Sequence, residues 1–226
     1  MTGRTLTSVA AAAEVIAATP ASPGRRRLVG IVGSPGAGKS TIAAQLVELL
    51  PGSALLPMDG FHLPQATLVE LGRRDRMGAA DTFDVPGFIE ALVALAAAGD
   101  SGDAASAGLR GPGTVIAPGF DREIEEAVPG AIVIGPDAST VIVEGNYLLL
   151  DSGGWEAAAQ HFDVTFFVDV SRATRLDRLI QRHVRFGKST ADATAWATGP
   201  DEANARLIAT TAERASHRIA LPETLG

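Results

Sequence analysis

Residues 33–40 read Gly-Ser-Pro-Gly-Ala-Gly-Lys-Ser and match the Walker A pattern, in which two glycines, a lysine and a hydroxyl residue occupy fixed positions. The mostly apolar residues 27–32 precede this segment and are typical of a buried strand. Residues 41–50 follow it with apolar side chains at helical spacing, and Pro51 and Gly52 end that helix. The order of strand, glycine turn and helix predicts an α/β fold with a phosphate-binding loop at the end of the strand.

The residue types of this loop predict how it binds a nucleotide. Glycines allow positive φ and close backbone approach, so successive N–H groups and the helix N-terminus can face a phosphate. Lys39 is expected to bridge the β- and γ-phosphates of ATP, and the Ser40 hydroxyl to ligate Mg²⁺. A glycine turn that merely joins a strand to a helix needs neither the lysine nor the hydroxyl at these offsets. The predicted nucleotide-binding residues are Gly33, Ser34, Gly36, Ala37, Gly38, Lys39, Ser40 and Thr41.

The composition of the chain limits the kinds of partner and chemistry that the protein can have. With 226 residues the chain has room for one domain with a substantial core. Its formal net charge of -7 argues against nucleic acid or an anionic membrane as a partner, and no apolar run is long enough to span a bilayer. The absence of cysteine excludes disulfides, thiolate nucleophiles and cysteine-ligated zinc. We therefore expect a cytoplasmic protein that uses ATP.

The rest of the chain alternates between predicted helices and strands. Residues 9–18 and 85–98 have helical patterns, residues 19–26 form a linker, and residues 100–108 have nothing to bury and are predicted to be a loop. Further strands are predicted at 53–58, 114–117, 141–144 and 164–170. This alternation predicts a three-layer sandwich, with a parallel sheet covered by helices on both faces. We place an N-terminal helix and linker in residues 1–26 and the main domain in residues 27–226.

Two carboxylates follow predicted strands and are therefore expected at the same sheet edge as the loop. Asp59 comes directly after the strand at 53–58, where it could accept a hydroxyl proton as a general base or simply cap a turn. Glu144 ends the apolar strand at 141–144, which is similar to a Walker B element with Glu in place of Asp. Glu144 is the second predicted ligand of Mg²⁺, beside Ser40.

A cationic segment follows the last predicted strand. Its basic residues recur every three or four positions and mostly share one helix face: Arg172, Arg175, Arg178, Arg182, Arg185 and Lys188. A charged stripe of this kind is ordinarily a solvated helix face. Beside a triphosphate site it could instead be a lid, at about residues 172–190, that closes and neutralises developing charge. Phe186 and Gly187 would let this lid end and hinge.

Taken together, these segments resemble the P-loop kinases grouped as uridine kinase, phosphoribulokinase and type I pantothenate kinase. The resemblance covers residues 27–219 and is most similar to a bacterial branch labelled nucleoside kinase-like or fructose-transport-associated kinase. It rests, beyond the Walker A loop, on residues 58–62, 76–84, 118–122 and 144–147. It implies that Asp59 is the catalytic base, that Arg178 and Arg182 are lid arginines acting with Lys39, and that the protein can form a homodimer.

The same resemblance predicts the acceptor side of the site. Where uridine kinases carry Asp-Ser-Phe-Tyr, this chain has Asp-Gly-Phe-His at 59–62, and residues 77–80 lack an acidic contact to a ribose. A nucleoside acceptor is therefore in doubt, and basic residues suggest a polar or anionic acceptor such as a sugar phosphate or a carboxylate. The predicted acceptor-binding residues are His62, Arg76, Phe83, Arg122 and Tyr147.

Three functions fit a phosphate-binding loop, and the sequence ranks them. A guanine-reading Asn-Lys-x-Asp motif is absent, which weakens the alternative of a regulatory NTPase coupled to a partner. A nucleotide-binding module without catalysis would be expected to lose the base, whereas Asp59 is present. We therefore predict an ATP-dependent phosphotransferase that acts on a hydroxyl of a small metabolite, such as a sugar, sugar phosphate, nucleoside or pantothenate-like acceptor.

Overall fold

The computed structural model describes residues 4–21, 24–97 and 113–222, so the predicted loop at 100–108 lies outside the described residues. The strands are β1 (Thr5–Leu6), β2 (Arg27–Val32), β3 (Ser53–Pro57), β4 (Val115–Asp121), β5 (Glu126–Ile134), β6 (Thr140–Gly145), β7 (Val164–Val168) and β8 (His217–Ile219). The helices are α1 (Val9–Ala18), α2 (Lys39–Leu49), α3 (Gln65–Glu70), α4 (Val85–Ala97), α5 (Arg172–Arg185), α6 (Thr190–Thr198) and α7 (Pro200–Ala209).

Six strands form the main sheet in the order β1-β8-β7-β2-β6-β3, and every neighbouring pair is parallel. The central strand β2 is buried on both faces because its side chains alternate between two cores. Leu28 and Val32 belong to one core, and Val29 and Ile31 belong to the other. The predicted three-layer α/β architecture, with a parallel sheet covered on both faces, is confirmed.

The two cores are built from different helices. On one face, α4 supplies the fully buried Phe88 and Leu92, which belong to the same cluster as Trp155. On the other face, Ile16 of α1 and Leu46 of α2 are fully buried against the sheet. The segment before residue 27 therefore packs on the same sheet as the phosphate-binding loop, and β1 adds a strand to that sheet beside β8.

One predicted strand belongs to a different sheet. Residues 114–117 were expected to join the parallel sheet, but β4 pairs antiparallel with β5 in a separate two-stranded sheet. The prediction is wrong because an apolar run does not reveal its pairing partner, and β5 is interrupted by Pro129 and Gly130. The register shifts between Ala117 and Gly119, and the connecting turn places Glu125 at a φ of 51°.

The cationic segment forms a single helix that ends before the last of its basic residues. Helix α5 starts after Ser171, whose hydroxyl accepts a hydrogen bond from the Thr174 N–H, and it ends at Arg185, with Phe186 as the capping residue. Gly187 then adopts a left-handed φ of 95°, so Lys188 lies beyond the helix and not on its stripe. Among the described helices, none has both the length and the hydropathy needed to cross a membrane.

Candidate functional site

Three neighbouring strand ends bring the predicted site residues together. In the sheet register, Val32 at the end of β2 pairs with Gly145 of β6, and Pro57 at the end of β3 pairs with Glu144. The phosphate-binding loop follows β2, while Asp59 lies in the single 3₁₀ turn that follows β3. A cavity of about 150 Å³ at this edge is lined by Lys39, Ser40, Asp59 and Glu144 together.

The loop has the backbone of an anion-binding turn. Gly36 and Gly38 have φ values of 79° and 94°, which only glycine adopts without strain. Gly38 caps α2 without any side-chain hydrogen bond, so the first amide groups of the helix are not capped by a side chain. Lys39 is buried and its Nζ donates to the Ser34 carbonyl at 3.2 Å. Burial lowers the pKa of Lys39, although Glu144 and Asp59 oppose that shift.

A second cavity, of about 280 Å³, lies on the other side of the loop. Its lining includes Ala37, Gly38 and Thr41 together with Arg178. The Arg178 Nη1 donates to the Ala37 carbonyl at 3.4 Å, whereas Arg182, one helical turn later, lines the first cavity. The two predicted lid arginines therefore lie on either side of the phosphate-binding loop.

Ser40 and Glu144 offer the oxygen donors that Mg²⁺ prefers. The Ser40 hydroxyl donates to Glu144 Oε1 at 2.9 Å, and Glu144 is 5% exposed. Burial and the charge of Asp59 raise the pKa of Glu144, while Lys39 and the Ser40 hydrogen bond oppose that rise. The described residues contain no group of three or more His, Cys, Asp or Glu side chains suited to a metal. These two ligands fit an Mg²⁺ ion that takes its other ligands from nucleotide phosphates and water.

Asp59 is held by cations. The Arg122 Nη2 donates to Asp59 Oδ2 at 2.7 Å, and the His62 Nδ1 donates to the Asp59 carbonyl at 2.8 Å. Burial disfavours the charged carboxylate, but His62, Arg122 and Lys39 outweigh it and lower the pKa of Asp59. The lowered pKa keeps the carboxylate ionised. The Asp59 side chain is 27% exposed and lines the cavity.

One part of the cavity lining is built from aromatic rings that pack against each other. The His62 ring lies against those of Phe83 and Phe120, with centroid separations of 4.0 and 4.8 Å. Burial lowers the pKa of His62, and the Asp59 carboxylate opposes that shift. Three of the predicted acceptor-binding residues, His62, Phe83 and Arg122, line the same cavity as Asp59.

The other two predicted acceptor-binding residues lie elsewhere. Arg76 is ion-paired with Asp81 and does not line the cavity. Tyr147 is fully buried, and its hydroxyl donates to the Gly78 carbonyl at 2.7 Å. Burial also raises the pKa of Tyr147, so the phenol stays protonated as a donor. Tyr147 thus supports a cavity-lining segment from beneath, because Gly78 does line the cavity.

Several cavity residues were not predicted from the sequence. Arg74 lines the cavity where Arg76 was expected, and its guanidinium donates to Gln65 Oε1 and Glu125 Oε2 at 2.9 and 2.8 Å. The remaining lining residues outside the predicted site set are Pro35, Met77, Gly78, Phe120, Glu125, Asn146, His183, Lys188, Trp196, Asp201 and Asn204. Five of these come from the end of α5 onward, where the sequence predicted a lid at about residues 172–190 but no site residue beyond Arg182.

Helix α7 anchors the cationic helix. Glu202 accepts from Arg172 Nε at 2.8 Å and from Arg175 Nη2, and both Arg175 and Glu202 are buried. The first half of α5 in turn packs on the phosphate-binding loop, since a Cβ added at Gly36 would lie 2.7 Å from the Arg175 carbonyl oxygen. The predicted stripe therefore has two uses, because these two arginines hold the helix while Arg178 and Arg182 face the cavities.

Known proteins resemble the chain over most of its length, although no family model matches it. It is 38% identical over 134 residues to the ATP-dependent kinase-like protein notR' of Aspergillus versicolor, covering 58% of this chain and 73% of the relative. It is 32% identical over 176 residues to a Schizosaccharomyces pombe protein provisionally named a uridine kinase, covering 72% and 68%. A solved structure provisionally named a fructose transport system kinase, from Silicibacter sp. TM1040, has a TM-score of 0.80 at 35% identity and covers 94% and 99%.

Bacterial pantothenate kinases are similar over a smaller share of their length. Those of Leifsonia xyli, Nocardioides, Clavibacter and Enterococcus faecalis are 28–32% identical to the chain. The chain spans 42–48% of these enzymes.

Proposed function

Since this chain belongs to the P-loop small-molecule kinases that include uridine kinase-like, pantothenate kinase and fructose transport system kinase proteins, we propose that it moves the γ-phosphoryl group of ATP to a hydroxyl of a small metabolite. One observation carries the proposal. Lys39 and Ser40 of the phosphate-binding loop line the same cavity as the ionised, partly exposed Asp59. The phosphates of ATP at the loop and the base Asp59 would therefore meet in one cavity.

The residues divide the reaction between them. Amides of the loop, with Lys39, hold the β- and γ-phosphates, while Arg178 and Arg182 face the loop from its two sides. The acceptor oxygen bonds to the γ-phosphorus, the bond from that phosphorus to the β,γ-bridging oxygen breaks, and ADP leaves. The acceptor's proton passes to Asp59. A carboxylate with a lowered pKa suffices because phosphoryl transfer passes through a loose transition state that needs little help from a strong base.

Ser40 and Glu144 are the residues that would hold Mg²⁺. When bound, the ion supplies positive charge to the β- and γ-phosphate oxygens. Their oxygens already lie within hydrogen-bond distance of each other at the mouth of the loop. Burial and the charge of Asp59 raise the pKa of Glu144, and a cation bound at this position would favour its carboxylate form.

The first experiment is a screen for acceptor-dependent ADP release from ATP. Nucleosides, vitamins, sugars and sugar phosphates are offered with Mg²⁺ in a coupled assay. We expect one chemical class to raise the rate well above the rate without acceptor. Full-rate ADP release that no acceptor changes would instead favour a regulatory NTPase and count against the proposal.

Asp59→Asn tests the base. Removal of a positioned general base costs about 10²- to 10⁴-fold in rate, so we expect kcat to fall by that factor while the ATP Kd changes little. Asp137→Asn is the matched control, because Asp137 is an exposed carboxylate that does not line the cavity. Unchanged turnover in Asp59→Asn would remove this residue from the mechanism.

Lys39→Ala tests the nucleotide site. Loss of the buried ammonium removes a charge-assisted contact to phosphate, so we expect ATP binding at least about 10-fold weaker in calorimetry. The same titration with Lys188→Ala, whose Nζ lies over the Trp196 ring and which is not part of the phosphate-binding loop, should give a much smaller change in ATP affinity. Equal ATP affinity in Lys39→Ala and the unaltered protein would place the nucleotide elsewhere.

A further inference from the structure

The acceptor half of the cavity carries positive groups with unused hydrogen-bond donors. Arg122 uses only Nη2 to contact Asp59, and its side chain is 41% exposed. Among the described residues, the Arg182 side chain makes no hydrogen bond or ion pair, although it lines the same cavity. Burial and the neighbouring Arg122 lower the pKa of Arg182, and the charges of Asp201, Asp59 and Glu144 oppose that shift. Two guanidinium groups that repel each other and keep free donors mark a place for negative charge.

Arg122 belongs to the acceptor side and not to the phosphate-binding loop. It lies in the turn that connects β4 and β5, next to Phe120 and close to Glu125, both of which line the cavity. The ring of the neighbouring Phe120 lies 4.8 Å from that of His62, whereas the loop already offers its amides and Lys39 to the phosphates of ATP. We therefore assign a negative group at Arg122 to the acceptor.

Arg74 is fixed at the same rim. Glu125 accepts from its Nη2 and Gln65 from its Nε, which leaves Nη1 as the remaining donor of the fork. The backbone of Glu125 is strained at this position, because it is the one non-glycine residue of the described chain with positive φ. The pair thus presents a preorganised arginine in the same cavity lining as Arg122.

The distances involved limit the size of the acceptor. Asp59 and Arg122 are in direct contact, so an alcohol at Asp59 and an anion at the other edge of the same guanidinium are separated by a few covalent bonds. The cavity of about 150 Å³ is below the size of usual drug-like pockets. An acceptor in which a bulky group separates the hydroxyl from the anion does not fit this geometry.

We propose that the acceptor is a small hydroxylated anion whose carboxylate or phosphate group binds Arg122 and Arg74 while its neighbouring hydroxyl meets Asp59. This inference rests on the proposed kinase function. It adds a substrate class and two specificity-determining residues. The hydroxyl is the group that is phosphorylated, and the anionic group stays unchanged and serves only for recognition.

Matched acceptor pairs test the inference. Glycerate against glycerol measures the effect of a carboxylate, and glycerol phosphate against glycerol measures that of a phosphate. Ribose 5-phosphate against ribose extends the phosphate comparison to a longer molecule. We expect kcat/KM for one class of anion to exceed that of its neutral partner by about 10- to 100-fold, as for a charge-assisted hydrogen bond. The carboxylate and phosphate arms decide which anion is bound.

Arg122→Gln and Arg74→Gln connect the preference to these residues. Arg122→Gln should bring the ratio of anionic to neutral acceptor close to one, and Arg74→Gln should raise KM for the anion with kcat nearly unchanged. Arg122→Lys, which keeps the charge, should restore part of the preference. Arg214→Gln is the matched control, because it breaks an arginine–aspartate pair outside the cavity and should leave the ratio as it was.

The outcomes separate this inference from the proposed function. If the best acceptor in the whole screen is a neutral alcohol, or if Arg122→Gln lowers the rates with both members of a pair equally, the anion inference is overturned and the kinase function stands. If ADP release responds to no acceptor of either class, the kinase function fails and the inference fails with it.

Discussion

At the scale of single residues, the central feature is a carboxylate surrounded by cations. Asp59 is in contact with Arg122 and is also influenced by His62, Lys39 and Arg182, while Glu144 is the nearby negative group. These charges overcome the effect of burial, so the pKa of Asp59 is lowered. Arg122 therefore does two things, because it keeps the base ionised and leaves donors free for a ligand.

The pH dependence of kcat should reveal this control. A base is active when ionised, so a lowered pKa keeps Asp59 active toward the acid side. Loss of the Arg122 charge removes a lowering influence, the pKa of Asp59 rises, and activity is lost at a higher pH. We expect the acid limb of Arg122→Gln, measured at saturating substrates, to move toward neutral pH. An acid limb at the same pH in both proteins would contradict this account of Asp59.

At the scale of elements, the cationic helix is held by α7 near both of its ends, because His183 in its last turn also contacts Asp201 of α7 at 2.8 Å. Glu202 of α7 holds Arg172 and Arg175, and Arg175 packs on Gly36 of the phosphate-binding loop. Between α5 and α6, Gly187 adopts a left-handed backbone conformation that ends the helix. Movement of this segment is therefore expected after the helix, at Gly187, and not at its first turns.

Glu202→Ala tests the anchor. Removal of one partner from a buried ion pair leaves an uncompensated charge on Arg175, so the free energy of unfolding should fall by about 3 kcal/mol in urea denaturation. Glu213→Ala is a suitable control because its pair with Arg218 is exposed, and such pairs contribute less than about 1 kcal/mol. Comparable losses in the two variants would mean that the buried pair does not anchor the helix. We also expect weaker ATP binding in Glu202→Ala, since the loop loses its packing against α5.

At the scale of the whole molecule, strands from both ends of the described chain form one edge of the main sheet. Strand β1 pairs with β8, and β8 pairs with β7, which is next to the central strand β2. Helix α1 packs on one face of this sheet, where its Ile16 is fully buried. The stability of the loop after β2 thus depends on residues far from it in sequence.

Ile16→Ala measures that dependence. Loss of a fully buried isoleucine costs about 2–5 kcal/mol, through lost transfer free energy and the cavity left behind. We expect a drop of that size in the free energy of unfolding, with ATP affinity unchanged at temperatures where the variant is folded. Val69→Ala, at a valine that is 65% exposed, should change the stability by less than about 0.5 kcal/mol. A small effect at Ile16 would mean that α1 is dispensable for the domain.

The sequence by itself determined the features that local chemistry imposes. A strand, a glycine turn and a lysine at fixed offsets specify the loop from residue 33 to 40, and alternating helices and strands specify the parallel sheet. Asp59 and Glu144 could be placed at one sheet edge because each follows a strand, and parallel strands end at the same edge. Predictions of this kind depend on neighbours in the chain.

Only the tertiary structure decided the features that depend on distant neighbours. Arg74 and not Arg76 lines the cavity, because Glu125 on a separate hairpin holds it there. Tyr147 lies beneath the site, bonded to a backbone carbonyl, since the core around α4 buries its ring. The partner of β4 and the use of each arginine of α5 likewise follow from packing between elements, which no local pattern encodes.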